Sequence, residues 1–207
     1  MPLYGFRGVY FAEYANNNGA VTYGTPFTPG CPITASLELQ FAEGDLWCKD
    51  ALSITRRKIT GGNVTFEAKA LDATSQTKLF GAHTKTRSVT YNDGSTSQTK
   101  NVSSVVFADT DESPIVGFTG YGPDAVDESS DKFTAFFVPK ARFSPPNVRY
   151  QTINQNITFQ TPTTTGRFMH DDTTGLVVAE FAVCDSEAEA QAWCAAVFPQ
   201  AQSGGVT

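Results

Sequence analysis

The sequence predicts a mainly β protein with a short helix and a C-terminal helix. Two stretches, residues 21–41 and 148–168, alternate apolar and polar side chains and are rich in Thr, Asn and Gln. This pattern is typical of strands that keep one face in water. The 207 residues include 16 Phe, 7 Tyr, 17 Gly and 11 Pro, which favours strands joined by turns. We therefore expect backbone pairing, rather than cleavage of a substrate, to be the main property of this chain.

The N-terminal part is predicted to contain strands separated by sharp turns. Residues 3–14 form the first strand, the sequence NNNG at 16–19 forms a turn, and residues 21–23 are short and extended. Residues 33–41 alternate, so that Thr, Ser, Glu and Gln side chains lie on one face. The opposite face is predicted to carry Ile33, Ala35, Leu37, Leu39 and Phe41.

Residues 42–57 are predicted to form a long loop. The segment is charged, contains Trp47 and follows neither a helical nor a strand period. Connections of this length are commonly functional or disordered. Residues 59–71 then form a second alternating strand, with a bulge or kink at Gly61 and Gly62.

The second half is predicted to begin with a short helix over residues 72–83, for which Asp72 is a suitable N-cap. Residues 88–106 form a hairpin that turns at the sequence NDG, a strong hairpin signal. Four further strands are predicted, over residues 114–121, 132–143, 156–168 and 176–184.

A C-terminal helix is predicted over residues 186–198. Ser186 and Glu189 have the spacing of a capping box, alanines fill the segment, and Pro199 ends it. The prediction is a single domain over residues 1–199, followed by a flexible tail at 200–207.

Charge and termini limit the classes of function. The formal net charge is −6 and the isoelectric point about 4.9, which disfavours a nucleic-acid-binding surface because such surfaces are normally basic. The N-terminus lacks the pattern of a signal peptide, and no apolar stretch approaches the ~18 residues of a membrane span, so we expect a protein kept in the cytoplasm. The four cysteines are predicted to be reduced and mostly buried, although a disulfide between Cys184 and Cys194 stays open.

Candidate catalytic and metal-binding residues are few. The sequence His170-Asp171-Asp172 is expected from turn chemistry alone, and His83 falls at a predicted helix end. Glu38 and Glu67 lie on the polar faces of two alternating strands, but no aromatic side chains accompany them as in a glycosidase site. The sequence predicts no cofactor, no metal site and no enzymatic activity. The basic cluster at residues 56–58 favours an ion-pairing contact with another protein over a nucleic-acid patch.

The order of segments resembles the major tail proteins of long-tailed, non-contractile bacteriophages, the subunits of the tail tube. The resemblance is carried by VTYGTP, PITASLELQF, DLWCKD, ITGGNVTFEAKALD, KLFGAH and ITFQTPTTTGRF, and most specifically by FQTPTTTG after a KARF strand. It covers nearly the whole chain.

The resemblance implies a two-sheet β-sandwich or partial barrel of the tail-tube type, flanked by the helices. It also implies a structural virion protein, located in the tail tube after assembly in the host cytoplasm. Six subunits form a ring, and rings stack into a tube that conducts the genome during ejection. The implied partners are further copies of the chain, the tape-measure protein and the tail terminator and tip proteins. Duplex DNA passes through without specific binding, and no membrane is involved.

Two sets of residues are hypothesised as assembly sites within such a tube. Glu38 and Glu67 are predicted to face the lumen, where acidic groups would repel DNA phosphates. The predicted loop would contact the neighbouring ring through Glu43, Asp45, Trp47, Lys49, Asp50, Arg56 and Arg57. The alternative function is a non-enzymatic β-sandwich binding module, such as an adhesin or carbohydrate-binding domain, that uses Trp47 and nearby aromatics.

Overall fold

The computed structural model describes residues 5–48, 50–94, 96–124, 132–147, 161–173 and 175–198. The predicted tail at 200–207, and the part of the predicted strand 156–168 that precedes residue 161, lie outside the described residues. Ten strands and two helices follow one another along the described chain. They are β1 (Gly8–Asn17), β2 (Ala20–Tyr23), β3 (Pro32–Cys48), β4 (Ala51–Ala68), α1 (Ala73–Phe80), β5 (His83–Asp93), β6 (Thr96–Val106), β7 (Ile115–Pro123), β8 (Phe133–Phe143), β9 (Thr163–Met169), β10 (Glu180–Cys184) and α2 (Glu187–Ala196).

Eight of the strands form one antiparallel sheet in the order β2-β1-β7-β8-β9-β4-β3, and β10 also pairs with β8. Strand β8 pairs with β7 along one side, whereas its other side is shared by β10 and β9. The sheet curls on itself. Three strands separate β1 from β4 in the sheet, yet the rings of Phe11 in β1 and Phe66 in β4 lie only 5.4 Å apart. Strands β5 and β6 form a second, two-stranded sheet.

The main core lies inside this curl. Its buried aromatic side chains stack edge to face and face to face, with Phe11 and Phe118 only 4.7 Å apart between ring centroids. Helix α1 closes the core with Leu79 and Phe80. Asp72 caps α1 by accepting a hydrogen bond from the backbone N–H of Ser75, and the left-handed Gly81 ends it.

Helix α2 covers part of the opposite face of the sheet. Ser186 Oγ accepts from the N–H of Glu189, and a carboxylate oxygen of Glu189 accepts from the N–H of Asp185, so the predicted capping pair is present. The helix packs Ala190 and Cys194 against β7, β8 and β10. Beyond the helix, the outer faces of β3, β4 and β9 carry polar side chains.

The predicted fold class is confirmed: the protein is mainly β, with two sheets, a short helix and a C-terminal helix. The predicted bulge is also present, since the pairing of β3 with β4 shifts at Gln40 and leaves Thr60 without an opposite residue, next to Gly61 at φ 142°.

Candidate assembly surfaces

The β3–β4 hairpin extends beyond the core as an arm, formed by residues 41–48 and 50–59. Every described residue of the arm is exposed to solvent. Its paired strands extend over roughly 25 Å at 3.3 Å per residue. Large apolar side chains gather at the tip, each at least half exposed in the isolated chain: Leu46, Trp47, Leu52 and Ile54.

The prediction of a loop over residues 42–57 is wrong, because the segment is a regular antiparallel hairpin. Both of its faces are in water, so nothing requires the apolar and polar side chains to alternate. A second pairing shift between Leu46 and Trp47 further breaks the period. The sequence of residues 42–57 therefore lacks the alternation typical of strands, although this segment forms two paired strands.

The hairpin brings several of the predicted contact residues together. Arg57 donates to both carboxylate oxygens of Glu43 at 3.0 and 3.2 Å, and its guanidinium lies 5.5 Å from the ring centre of Phe41. Asp45 accepts from Thr55 Oγ1 at 2.8 Å. Arg56 lies on the opposite face of the arm, across from Gly44. Asp50 lies at the tip in the left-handed region, with φ 60°, and Lys49 is outside the described residues.

Glu38 and Glu67 lie on one face of the sheet, as their strand positions predict. The register places Glu38 opposite Asn63 and Glu67 opposite Thr34. Glu67 accepts hydrogen bonds from the hydroxyls of Thr34 and Thr161. Both glutamates thus belong to a hydroxyl-rich outer surface of β3, β4 and β9, which we call the polar face.

The polar face also carries cations, which the sequence patterns did not place beside the glutamates. Strand register aligns Glu38, Asn63, Arg167 and Arg142 in one row across four strands. Arg167 reaches Gln40 Oε1 at 3.5 Å. Arg167 and Arg142 lie directly opposite each other, and like charges in that position repel. An anionic group in contact with this row would therefore be stabilising.

The β5–β6 hairpin is a second projecting element, which we call the ribbon. The predicted turn is confirmed, and β6 ends at the predicted residue 106, whereas β5 begins at His83 and not at residue 88. All described residues from His83 to Ser103 are exposed. The sequence predicts this hairpin but no function for it. The pattern that could have indicated a functional surface is the alternation of cationic and apolar side chains with hydroxyl side chains along β5.

A polar cluster ties the turn after β9 to the other end of the sheet. Asp172 accepts from Lys140 Nζ at 2.7 Å on each oxygen, and from Tyr14 OH and Asn16 Nδ2 at 2.9 and 3.0 Å. The bond from Lys140, followed by those from Asn16 and Tyr14, lowers the pKa of Asp172 to about 2. Burial and the same carboxylate raise the pKa of Tyr14 to about 12.

The two histidines lie in separate local settings. His83 Nδ1 is 3.2 Å from Asp111 Oδ1, and His170 Nδ1 is 3.1 Å from the carbonyl oxygen of Asp171. Within the described ranges, no group of three or more His, Cys, Asp or Glu side chains is arranged to hold a metal ion.

The four cysteines are free thiols, and only Cys184 and Cys194 are buried. The expectation that most cysteines are buried is therefore wrong for Cys31 and Cys48, which are exposed. Burial raises the pKa of the Cys184 and Cys194 thiols, which keeps them protonated and poorly nucleophilic.

No protein-family model matches this chain, and no curated protein sequence matches it. In the part of the chain that the structure describes, neither helix is long and apolar enough to cross a membrane.

Proposed function

We propose that the protein is a tail-tube subunit of a long-tailed, non-contractile bacteriophage: a structural virion protein without enzymatic activity that forms stacked six-fold rings. One observation carries the proposal. The described chain combines two long solvent-exposed hairpins with apolar side chains that a solitary molecule leaves in water, including Trp47 at 63% exposure and Leu46 at 58%. Such a surface favours burial against other protein.

The open strand edges support self-assembly. Strands β2, β3 and β10 each pair on one side only among the described strands. An unpaired edge offers rows of backbone N–H and C=O groups to another strand, and closed barrels remove such edges. Pairing between subunits around a ring would close a barrel of many strands, wide enough to leave a channel.

The polar face supports a role as a surface along which DNA moves. Its Thr, Ser, Asn and Gln side chains give few fixed charges, and the chain as a whole carries −6. The two carboxylates of this surface, Glu38 and Glu67, balance Arg142 and Arg167, so the surface offers a duplex no net attraction that would hold it. Within such a tube the partners are neighbouring copies, the tape-measure protein and the terminator and tip proteins.

The test is assembly of the purified protein. We expect six-fold rings or tubes in negative-stain images as concentration rises, together with an increase in mass by light scattering. A variant in which residues 44–56 are replaced by a two-residue Asn-Gly turn, which suits a hairpin, is expected to keep the fold by circular dichroism and to lose tube formation.

The matched control shortens the chain elsewhere, by ending it at residue 199. A wild-type protein that stays monomeric at all concentrations and salt conditions, also when mixed with a phage tail-tip complex as initiator, would contradict the proposal. Specific binding of oligosaccharides by such a monomer would instead favour the binding-module alternative.

A further inference from the structure

The two faces of the ribbon differ in chemistry. Strand register places Lys85, Arg87, Val89 and Tyr91 of β5 on the same face as Lys100 and Val102 of β6. The other face contains uncharged side chains, with hydroxyl pairs such as Thr86–Ser103 and Thr90–Thr99 in hydrogen-bonding contact at 3.3 and 3.1 Å. We call the first the cationic face of the ribbon.

Asp93, at the turn end of β5, shares the cationic face, but it forms no ion pair with the three cations among the described residues. Of the ion pairs among the described residues, none involves Lys85, Arg87 or Lys100. Val89, Tyr91 and Val102 on the same face are 42–47% exposed. A two-stranded hairpin by itself is at best marginally stable in water, so a surface that covers this face would also stabilise the ribbon.

The other end of the chain supplies a surface of opposite charge. Residues 180–198 contain Glu180, Asp185, Glu187 and Glu189 but no Lys, Arg or His. All but the half-buried Glu187 are exposed. Strand β10 pairs only with β8 among the described strands and exposes Phe181 and Val183 at 53% and 47%. We call β10 with the first turn of α2 the acidic edge.

We propose that the cationic face of the ribbon of one copy docks on the acidic edge of a second copy. This inference rests on the proposed function and identifies one of its contacts between subunits. Three cations would face up to four carboxylates on the α2 side of β10, whereas Phe181 and Val183 project from its other side and stay outside this contact. Opposed charge patches steer association and fix its register.

Charge distinguishes the acidic edge from the other open edges of the sheet. Strand β2 has the sequence AVTY, without charge. The carboxylates of β3 have partners on their own sheet, since Glu43 pairs with Arg57, Asp45 accepts from Thr55, and Glu38 lies in the row with the two arginines. Because ribbon and acidic edge are different surfaces, the contact is head-to-tail and repeats from copy to copy. Such contacts generate closed rings or open filaments.

Charge reversal tests the contact. The ribbon variant Lys85→Glu/Arg87→Glu and the edge variant Glu180→Lys/Asp185→Lys each place like charges opposite each other. For each variant alone we expect the concentration needed for assembly to rise at least about tenfold, because like charges placed opposite each other across an interface repel.

Mixing the two variants is expected to restore assembly. The carboxylates introduced into the ribbon of one variant then meet the lysines introduced into the edge of the other, and the remaining pair of surfaces has the wild-type charges. An equimolar mixture should therefore form rings in which the two variants alternate, and a chain with all four substitutions should assemble by itself.

The control variant Thr86→Glu/Ser88→Glu adds negative charge to the same strand on the hydroxyl face. It is expected to assemble like the wild type. As a second readout, p-benzoylphenylalanine in place of Tyr91 should cross-link to residues 180–198 of another copy, identified by mixing ¹⁵N-labelled and unlabelled protein.

Wild-type assembly with unchanged assembly of both reversal variants would overturn the docking contact and leave the tail-tube proposal intact. If both reversal variants assemble normally but the ribbon variant no longer binds heparin, the docking contact would be overturned and the ribbon would instead bind an anionic ligand. Failure of the wild type itself to assemble, in the initiator experiment above, would overturn both.

Discussion

At the scale of single residues, Asp172 holds together segments that are far apart in sequence. It joins the turn after β9 to β8 through Lys140 and to β1 through Tyr14 and Asn16. The lowered pKa means that the folded state favours the ionised carboxylate. Stability from this cluster is therefore present above the ordinary pKa of 3.8 and is lost as pH falls through about 2.

We expect Lys140→Met to raise the pKa of Asp172 from about 2 toward 3.8, because Lys140 is the first cause of the shift. The change is measured by ¹³C NMR titration of the side-chain carboxyl. The variant should also lose less stability than the wild type between pH 5 and pH 2. An unchanged Asp172 pKa in the variant would show that the lysine does not hold the carboxylate.

Gly62 is a second position where a single residue decides the packing. A Cβ atom there would lie 2.2 Å from the Phe168 ring and 2.3 Å from the carbonyl oxygen of Glu38. Gly62→Ala should therefore lower the free energy of unfolding by about 1–3 kcal/mol through overpacking. Gly44→Ala is the matched control, since nothing lies within 4 Å of its Cβ, and its effect should stay within about 0.5 kcal/mol. Urea denaturation measures both, and equal effects would contradict the argument.

At the scale of elements, the arm and the ribbon are hairpins whose folding and function are separable. Beyond its base, neither hairpin contributes a residue to the buried core. All described residues of the arm, and those of the ribbon from His83 to Ser103, are exposed. Substitutions at the tip should change assembly while leaving the core unaffected.

Trp47→Ala tests this separation. We expect the free energy of unfolding to stay within about 0.5 kcal/mol of the wild type, because the side chain is 63% exposed. The concentration needed for tube formation should rise at least about tenfold, as for an interface anchor. Urea denaturation and light scattering give the two values, with Ser53→Ala on the same arm as control. A destabilised variant with normal assembly would show that Trp47 packs on its own chain.

At the scale of the whole molecule, the curl of the sheet separates an inner core from an outer polar face. If β3, β4 and β9 line the channel of a tube, six copies of Glu38 and of Glu67 form rings around the DNA. The neighbouring Arg142 and Arg167 would offset part of that charge. Salt screens these interactions over roughly 8 Å at physiological strength.

Glu38→Lys combined with Glu67→Lys should leave tubes intact but make them retain free DNA. The reason is that the charged side chains of the polar face, together with Arg142 and Arg167, would then all be cationic. Co-sedimentation of duplex DNA with tubes at low and high salt measures retention, and slower ejection is expected from phage that carry the variant. Glu13→Lys combined with Asp109→Lys is a charge-matched control at exposed positions outside the polar face, the ribbon and the acidic edge. Mutant tubes without retained DNA would show that other strands line the channel.

The sequence by itself determined the local elements, because these depend on neighbouring residues. Alternation in β3, β4 and β9, the caps Asp72 and Ser186, and the Asn-Gly and Asp-Gly turns at 18–19 and 93–94 are readable one segment at a time. The mainly β fold with two helices follows from them. Only the tertiary structure decided what depends on distant pairing. It placed Glu38 in a row with Arg167 and Arg142, joined Lys140 to Asp172, and made residues 42–57 a hairpin. Nothing requires strands in water on both faces to alternate, and the strands of the arm carry no such pattern, so their pairing is decided by the partner strand and not by their own sequence.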